Sequence, residues 1–506
     1  MNGTGGRSVL APRAAVRAAL LLATLALPAC HGGPPKVVPP PPTVPRVNEL
    51  QRNITTILAA PALARGTWGV LVKSLSNDET LFALNTHKLM MPASTQKVLT
   101  LAVAADQLGW DYTYKTTVLT VGLVENGVLK GDLVVVGSGD PTFDDWDGFA
   151  SARFAEWAAA LKRVGIQKIN GRVIGDDNAF DEEGLGTGWA WDDLAASYAT
   201  AVGALQFNQN TAQLVITPST AGQAAHVQVT PEAAHISVLN RTITGDGPPL
   251  SVRPMPHSST IELDGAIGAS AGRVLRNVSV PNATLYFANA VRDGLIRSGV
   301  EVVGPAVDID DLDTPLDRTA ASTDAETVSK RLTDIGTTMM KMSQNLYAET
   351  LLKSVGLQTS GVGSTAAGRA VVDSTLASWG VAAGEALEVD GSGLSRYNLV
   401  TPDAVAIVLR HVYQDERLRD PFIATLPRAG VDGTLGDRMK GTPAADNLRA
   451  KTGSFSNARS VAGYLRTADG EPLEVVIMAN NYGASPRVID DATDAILVAL
   501  AKFSRR

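Results

Sequence analysis

A serine and a lysine three positions apart, Ser94 and Lys97, stand at the start of a run with helical apolar spacing, in Met91-Pro92-Ala93-Ser94-Thr95-Gln96-Lys97. On a helix that spacing puts both side chains on one face, one turn apart. A serine hydroxyl becomes a useful nucleophile only when a neighbouring base accepts its proton. Lysine can be that base where burial and nearby positive charge keep its amine neutral. The backbone N–H groups at a helix start can also stabilise an oxyanion beside Ser94.

Two further short patterns carry compatible groups. Ser343-Gln344-Asn345 is the only S-x-N in the chain; it follows a helical run and can place its hydroxyl and amide on a loop facing Ser94. Its hydroxyl can relay a proton to a leaving amine, and its amide can hold Lys97 and a substrate backbone. Lys451-Thr452-Gly453 is the only K-T-G and opens a strand-like run. A strand edge with a lysine, a hydroxyl and a residue of minimal bulk suits an extended peptide and its terminal carboxylate. Taken singly, each pattern has a plainer reading: a chance pair, a helix-capping serine, a surface lysine on a hairpin. Their order and their placement on a helix start, a helix-flanking loop and a strand favour one shared site.

Composition narrows the chemistry. The 506 residues are 45% hydrophobic and 19% charged, which describes globular domains. A net charge of −7 argues against nucleic acid, whose phosphates demand a basic face. The single cysteine, Cys30, excludes intramolecular disulfides and Cys-rich zinc sites. Six scattered histidines offer no metal-binding pair, so no metal or cofactor is expected, and a hydrolase here needs a base other than histidine.

The elements that must position these residues follow from periodicity. Gly69–Val72 and Leu81–Leu84 read as strands separated by a turn at Ser76-Asn77-Asp78. Ser94 to Leu108 reads as a helix whose alanines allow close packing. From about Thr116 to Leu312 strand-like runs dominate, with helical patches at Phe149–Val164 and Leu285–Ser298. Helical sequence returns at Thr327–Gly356 and Gly363–Trp379. Strands follow at Ala450–Thr452, Ser460–Arg466 and Glu474–Ala479, and a helix closes the chain from Pro486 to Phe503. Strands at both ends predict one sheet built from both termini, with the middle as an excursion from it.

The ordered set S-x-x-K, S-x-N, K-T-G is that of penicillin-recognising serine enzymes. Nearly half the chain separates Ser94 from Ser343. In that the protein resembles the class C low-molecular-mass penicillin-binding proteins, the D-alanyl-D-alanine carboxypeptidase/endopeptidase family with large inserts after the first motif. Gly139-Asp140-Pro141-Thr142, Asp390-Gly391-Ser392-Gly393-Leu394-Ser395-Arg396 and Ala450-Lys451-Thr452-Gly453-Ser454 add to the resemblance, which runs from about Leu50 to the C-terminal helix.

The resemblance implies an α/β (α+β) β-lactamase/transpeptidase-like catalytic domain, an antiparallel sheet flanked by helices, interrupted by two inserted β-rich domains. Residues 48–118 and 316–506 would form the catalytic domain, 119–201 and 286–315 the second domain, and 202–285 the third. It implies peptidoglycan stem peptides as substrate and β-lactam antibiotics as covalent inhibitors. Ser94 would be the nucleophile, Lys97 its base, and Ser343 and Asn345 the proton shuttle and substrate holder. Lys451 and Thr452 would bind the terminal carboxylate beside Gly453, and the N–H groups of Ser94 and Ser454 would form the oxyanion hole. A pocket for the free end of a diamino acid would use Asp193, Tyr198, Arg396 and Ser456. Asp192 offers the same chemistry as Asp193, and Arg396 is equally suited to a structural ion pair. Competing readings are a β-lactamase-like hydrolase and a catalytically retired cell-wall-binding lipoprotein.

The N-terminus reads as an address. Arg7, Arg13 and Arg17 precede an apolar stretch from Ala18 to Ala29, the layout of a secretory signal over residues 1–29. Leu27-Pro28-Ala29-Cys30 resembles a lipobox. Residues 30–47, with GGPPKVVPPPPTVP, then form a semi-stiff tether. The expected location is the periplasmic or cell-envelope face, lipid-anchored to a membrane through Cys30.

Overall fold

Five antiparallel strands drawn from both ends of the chain form the sheet that carries the K-T-G motif. In the computed structural model, residues 46–255, 258 and 260–506 are described. The signal, Cys30 and the tether up to residue 45 lie outside them. The strands run in the order Arg449–Phe455, Ala458–Arg466, Pro472–Asn480, Thr67–Ser74 and Thr80–Leu84. Both faces of this sheet are buried, so its sequences read as continuous apolar runs instead of alternating ones. Leu71, Val476, Met478 and Ala462 point to one core, and Val70, Val72, Val475, Ile477 and Val461 to the other.

The first core holds the helix Gln96–Leu108, buried from Gln96 through Ala105. It packs against helices Asn345–Ser360, Thr365–Ser378 and Pro402–Gln414. The second core is closed by the helices Arg46–Leu58 and Pro486–Lys502. Residues 46 and 47, expected to end the tether, already belong to the first of these helices. There Leu50 and Ile54 are buried on one face. Among the described residues no helix is long and apolar enough to cross a membrane.

The excursion leaves and returns through a hydrogen-bonded pair of strands, Lys115–Glu125 and Ala321–Val328, with Lys115 opposite Val328. They belong to a seven-stranded mixed sheet with Val128–Val136, Lys168–Ile169, Val173–Asp176, Glu301–Val302 and Ala306–Asp308. Helices Phe149–Arg163 and Ala283–Arg297 belong to the same part of the chain. This sheet therefore reaches from 115 to 328, past the edges of 118/119 and 315/316 expected from sequence. Ala321–Val328 is a half-exposed edge strand without an apolar run, which is why its pairing does not show in the sequence. Two three-stranded sheets follow, Val274–Ser279 with Thr211–Thr217 and His226–Thr230, and Ser251–Pro254 with Thr260–Ile267 and Ser237–Thr244. Phe143, Trp157, Leu214, Leu263 and Phe287 join all three sheets in one contiguous core.

The helical sequence of Thr327–Gly356 is not one helix. Strand continues to Val328, a helix spans Leu332–Met342, and a second begins at Asn345. Ser343 breaks them in a left-handed conformation, φ 60° and ψ 36°.

Candidate active site

Ser94 sits in a single 3-10 turn, Ala93–Thr95, that leads into the helix starting at Gln96. The turn is closed by the Thr95 hydroxyl, which donates to the Pro92 carbonyl at 2.7 Å. Lys97 lies one position inside the helix, fully buried, and its Nζ donates to Ser94 Oγ at 3.1 Å. The same Nζ donates to Asn345 Oδ1 at 2.6 Å and to the Ser392 carbonyl at 2.7 Å. Burial pushes the Lys97 amine down to about 7, against the opposing pull of Glu349 and Asp390. An amine in that range is a competent base near neutral pH.

Lys451, also fully buried, donates to Ser343 Oγ at 2.9 Å and to the Thr452 carbonyl at 2.8 Å. Burial holds its amine well below the usual lysine range, and the charge of Lys97 acts in the same direction. The two lysines thus meet the two serines in adjoining pairs.

The K-T-G strand is the edge strand of its sheet, and its glycine is a steric requirement. A Cβ on Gly453 would overlap Ser460 Oγ and lie 2.6 Å from the Pro92 carbonyl and 3.0 Å from the Ser94 nitrogen. The strand can approach Ser94 only with no side chain there. Thr452 Oγ1 bonds Thr434 Oγ1 at 2.6 Å.

The loop Asp390–Asn398 closes the site from below. Asp390 accepts from the N–H groups of Gly393 at 2.7 Å and Ser395 at 2.6 Å, from Asn398 Nδ2 at 2.7 Å and from Trp189 Nε1 at 2.9 Å. Glu349, one turn into the Asn345 helix, accepts from the N–H groups of Gly391 at 2.9 Å and Ser392 at 2.8 Å. These bonds fix the two peptides that lead to the Ser392 carbonyl, and Asp390 fixes the Ser392–Gly393 peptide itself through the Gly393 N–H, so the carbonyl that holds Lys97 is held in place. Burial and the nearby Asp390 push Glu349 up to about 7. Gly393, at φ +80°, passes Ala93 so closely that a Cβ would overlap its carbonyl.

A cleft of about 610 Å³ opens over these groups, lined by Ser94, Ser343, Asn345, Thr452 and Ser454. Asp193, Tyr198, Arg396 and Ser456 line it as well, together with Phe455 and Arg459. The insert therefore contributes to the same cleft. The Tyr198 hydroxyl donates to Asp193 Oδ1 at 2.6 Å, and its own carbonyl accepts from Asn345 Nδ2 at 2.7 Å. Burial and Asp193 push the phenol up to about 12. Of the two neighbouring aspartates, Asp193 and not Asp192 lines the cleft. Arg396 makes no ion pair among the described residues, and its guanidinium lies 5.8 Å from the centre of the Phe455 ring. No described histidine lines the cleft.

Glu349 and Thr434 lie outside the motifs read in the sequence, and Ser392 stands there only within the Asp390–Arg396 segment, with no role for its carbonyl. A glutamate four positions after Asn345, on an otherwise buried helix, was the available signal for the first. The other two act through a distant loop and a backbone atom, which leave none.

A buried lysine paired with a serine at a helix start, beside an open sheet edge, defines a serine acyl-transfer site without histidine. The chain belongs to the D-Ala-D-Ala carboxypeptidase 3 (S13) family, whose model matches residues 50–503. It is 32% identical to the D-alanyl-D-alanine carboxypeptidase of Actinomadura sp. (strain R39), over 91% of this chain and 86% of that one. It is 28% identical to the D-alanyl-D-alanine carboxypeptidase DacB of Haemophilus influenzae, over 82% of this chain and 85% of that one. The crystal structure of penicillin binding protein 4 from Haemophilus influenzae matches with a TM-score of 0.78 at 27% identity, covering 90% of this chain and 99% of that one. A second structure of that protein, complexed with a novel β-lactam, matches with a TM-score of 0.74 at 26% identity, covering 90% of this chain and 99% of that one. The architecture is thus that of a class C low-molecular-mass penicillin-binding protein, a transpeptidase-like catalytic part with extra domains.

Proposed function

We propose that this protein is a penicillin-sensitive serine D-alanyl-D-alanine carboxypeptidase that also cuts peptidoglycan cross-links. The observation that carries the reading is Lys97: buried, with its pKa lowered by that burial to about 7, and 3.1 Å from Ser94 Oγ. Ser94 Oγ attacks the carbonyl of the penultimate D-alanine while Lys97 takes its proton. The oxyanion is met by the N–H groups of Ser94 and Ser454, which the bare Gly453 lets stand close together. As the amide bond breaks, a proton passes through Ser343 to the leaving amine, and terminal D-alanine departs. Water then adds to the ester, Lys97 again taking a proton, and the shortened peptide leaves with Ser94 restored. Lys451 and Thr452 bind the terminal carboxylate.

The fit of the cleft to a diamino-acid end supports a stem-peptide substrate. Asp193 offers a carboxylate to the free ammonium, with Tyr198 alongside, while Arg396 and Ser456 suit its carboxylate. A β-lactam, presenting a strained amide and a carboxylate at similar spacing, acylates Ser94 by the same first step. This activity belongs at the cell envelope, in keeping with the export signal, and Cys30 is the lipid attachment that would hold the body near a membrane.

Digestion of labelled peptidoglycan tests the reading. Release of free D-alanine and loss of cross-linked dimers are the expected products. Release of D-alanine with dimers untouched would remove the endopeptidase part. Rapid turnover of nitrocefin in place of a lasting adduct would overturn the peptidase reading in favour of a β-lactamase.

A further inference from the structure

The S-x-N turn is gripped from the insert side at a residue that the chemistry above does not use. Gln344 caps the helix beginning at Asn345, its Oε1 accepting from Leu346 N–H at 3.1 Å. Its remaining group, Nε2, donates to Oε1 of Gln209. Gln209 is the middle of Asn208-Gln209-Asn210, three successive non-glycine residues with φ of 50°, 55° and 53°. Left-handed backbone in consecutive non-glycine residues is disfavoured by contact between Cβ and the following carbonyl. Such conformations persist where their surroundings over-determine them, and they cluster at functional sites.

Here both flanking side chains are committed. Asn208 Oδ1 accepts from Asp145 N–H at 2.7 Å. Asn210 Oδ1 accepts from Phe207 N–H at 3.1 Å, and its Nδ2 donates to the Ala201 carbonyl at 2.8 Å. Only Gln209 is turned toward the catalytic part. The same helix is held by the insert at two more points, the Tyr198 carbonyl on Asn345 at 2.7 Å and Gln206 Nε2 on Thr350 Oγ1 at 2.9 Å. Gln344 lies between Ser343 and Asn345, so what fixes Gln344 fixes both neighbours.

We propose that Gln209 is a positioning residue for acylation: the insert spends a strained left-handed turn to aim it at Gln344. That contact keeps Ser343 Oγ beside Lys451 and Asn345 Oδ1 beside Lys97. The inference rests on the acyl-enzyme reading above, and goes beyond it in making the insert part of the catalytic machinery. A residue that merely glues two domains together would change stability alone.

The test compares full-length wild type with Gln209→Ala, Gln209→Glu, Gln344→Ala and the double alanine variant. Active sites are counted by the endpoint of fluorescent penicillin labelling, and the acylation rate is then measured per labelled site. Gln209→Ala is expected to slow acylation about tenfold per site, with KM for a D-Ala-D-Ala peptide changed less than about twofold. Gln209→Glu, whose carboxylate also accepts from Gln344 Nε2, is expected to recover most of the rate. The double variant should be no slower than Gln344→Ala alone, the signature of one shared interaction. Gln344→Ala removes the contact from the other side and leaves the left-handed turn intact, should Gln209→Ala not fold. With wild type labelled, an unchanged rate in either single variant, or additive losses, overturns this proposal alone. Failure of the folded wild type to label overturns it together with the acyl-enzyme reading.

Discussion

Lys97 Nζ stands closer to Asn345 Oδ1, at 2.6 Å, than to the Ser94 hydroxyl it faces, at 3.1 Å. The amide oxygen can only accept, so it holds a proton-bearing face of the amine and leaves another face for Ser94. Asn345 is itself oriented by the Tyr198 carbonyl, which accepts from Nδ2 at 2.7 Å. A carbonyl cannot donate, so the amide cannot flip without losing both bonds.

The first consequence is a pH dependence. Lys97 must be neutral to take the proton of Ser94, and burial lowers its pKa to about 7. The fraction of neutral amine rises with pH through that value and falls below it. The second-order rate of penicillin acylation should therefore climb about fiftyfold between pH 5 and 7, then level off above about 8. A stopped-flow profile checks this, and a rate that stays flat from pH 5 to 9 would remove Lys97 as the titrating base.

The motifs were legible because each is short and carries its chemistry in side chains. Ser94 and Lys97 share one turn, and Lys451 to Gly453 share one strand. The sheet built from both termini was legible too, since strand-like runs stand at both ends of the chain with helical sequence between them. What escaped was whatever acts across long separations or through the backbone. The Tyr198 carbonyl, the Ser392 carbonyl and the Gln209–Gln344 contact depend on how the insert folds back, which no local pattern encodes. The loop at Ser343 was legible as a position flanking a helix, but its left-handed backbone was not, since the sequence reads as helical on both sides.

Asp193→Ala separates recognition from chemistry. Losing a charged hydrogen-bond partner costs about 1.5–3 kcal/mol. kcat/KM on muropeptides with a free diamino-acid end should fall by roughly 10–150-fold. Simple D-Ala-D-Ala mimics, with no ammonium to bind, should be nearly unaffected. Equal losses on the two substrates, measured side by side, would withdraw Asp193 from the pocket.

Gly453→Ala tests the close approach of strand and nucleophile. The new methyl would meet the Pro92 carbonyl at 2.6 Å, a backbone atom that cannot swing aside. Overpacking of this kind costs about 1–3 kcal/mol in stability. The displaced strand should also slow acylation at least about a hundredfold, since the oxyanion donors no longer converge. Thermal melts and acylation rates together check it. A variant that melts lower yet acylates normally would show that the strand need not touch the site.

All of this turns on Ser94 forming the acyl-enzyme. Wild-type protein incubated with penicillin, followed by intact mass and peptide mapping, tests it most directly. One penicilloyl group per chain is expected, on the peptide containing Ser94, with no adduct on Ser94→Ala. A folded wild type without adduct, or label that persists in Ser94→Ala, would contradict it.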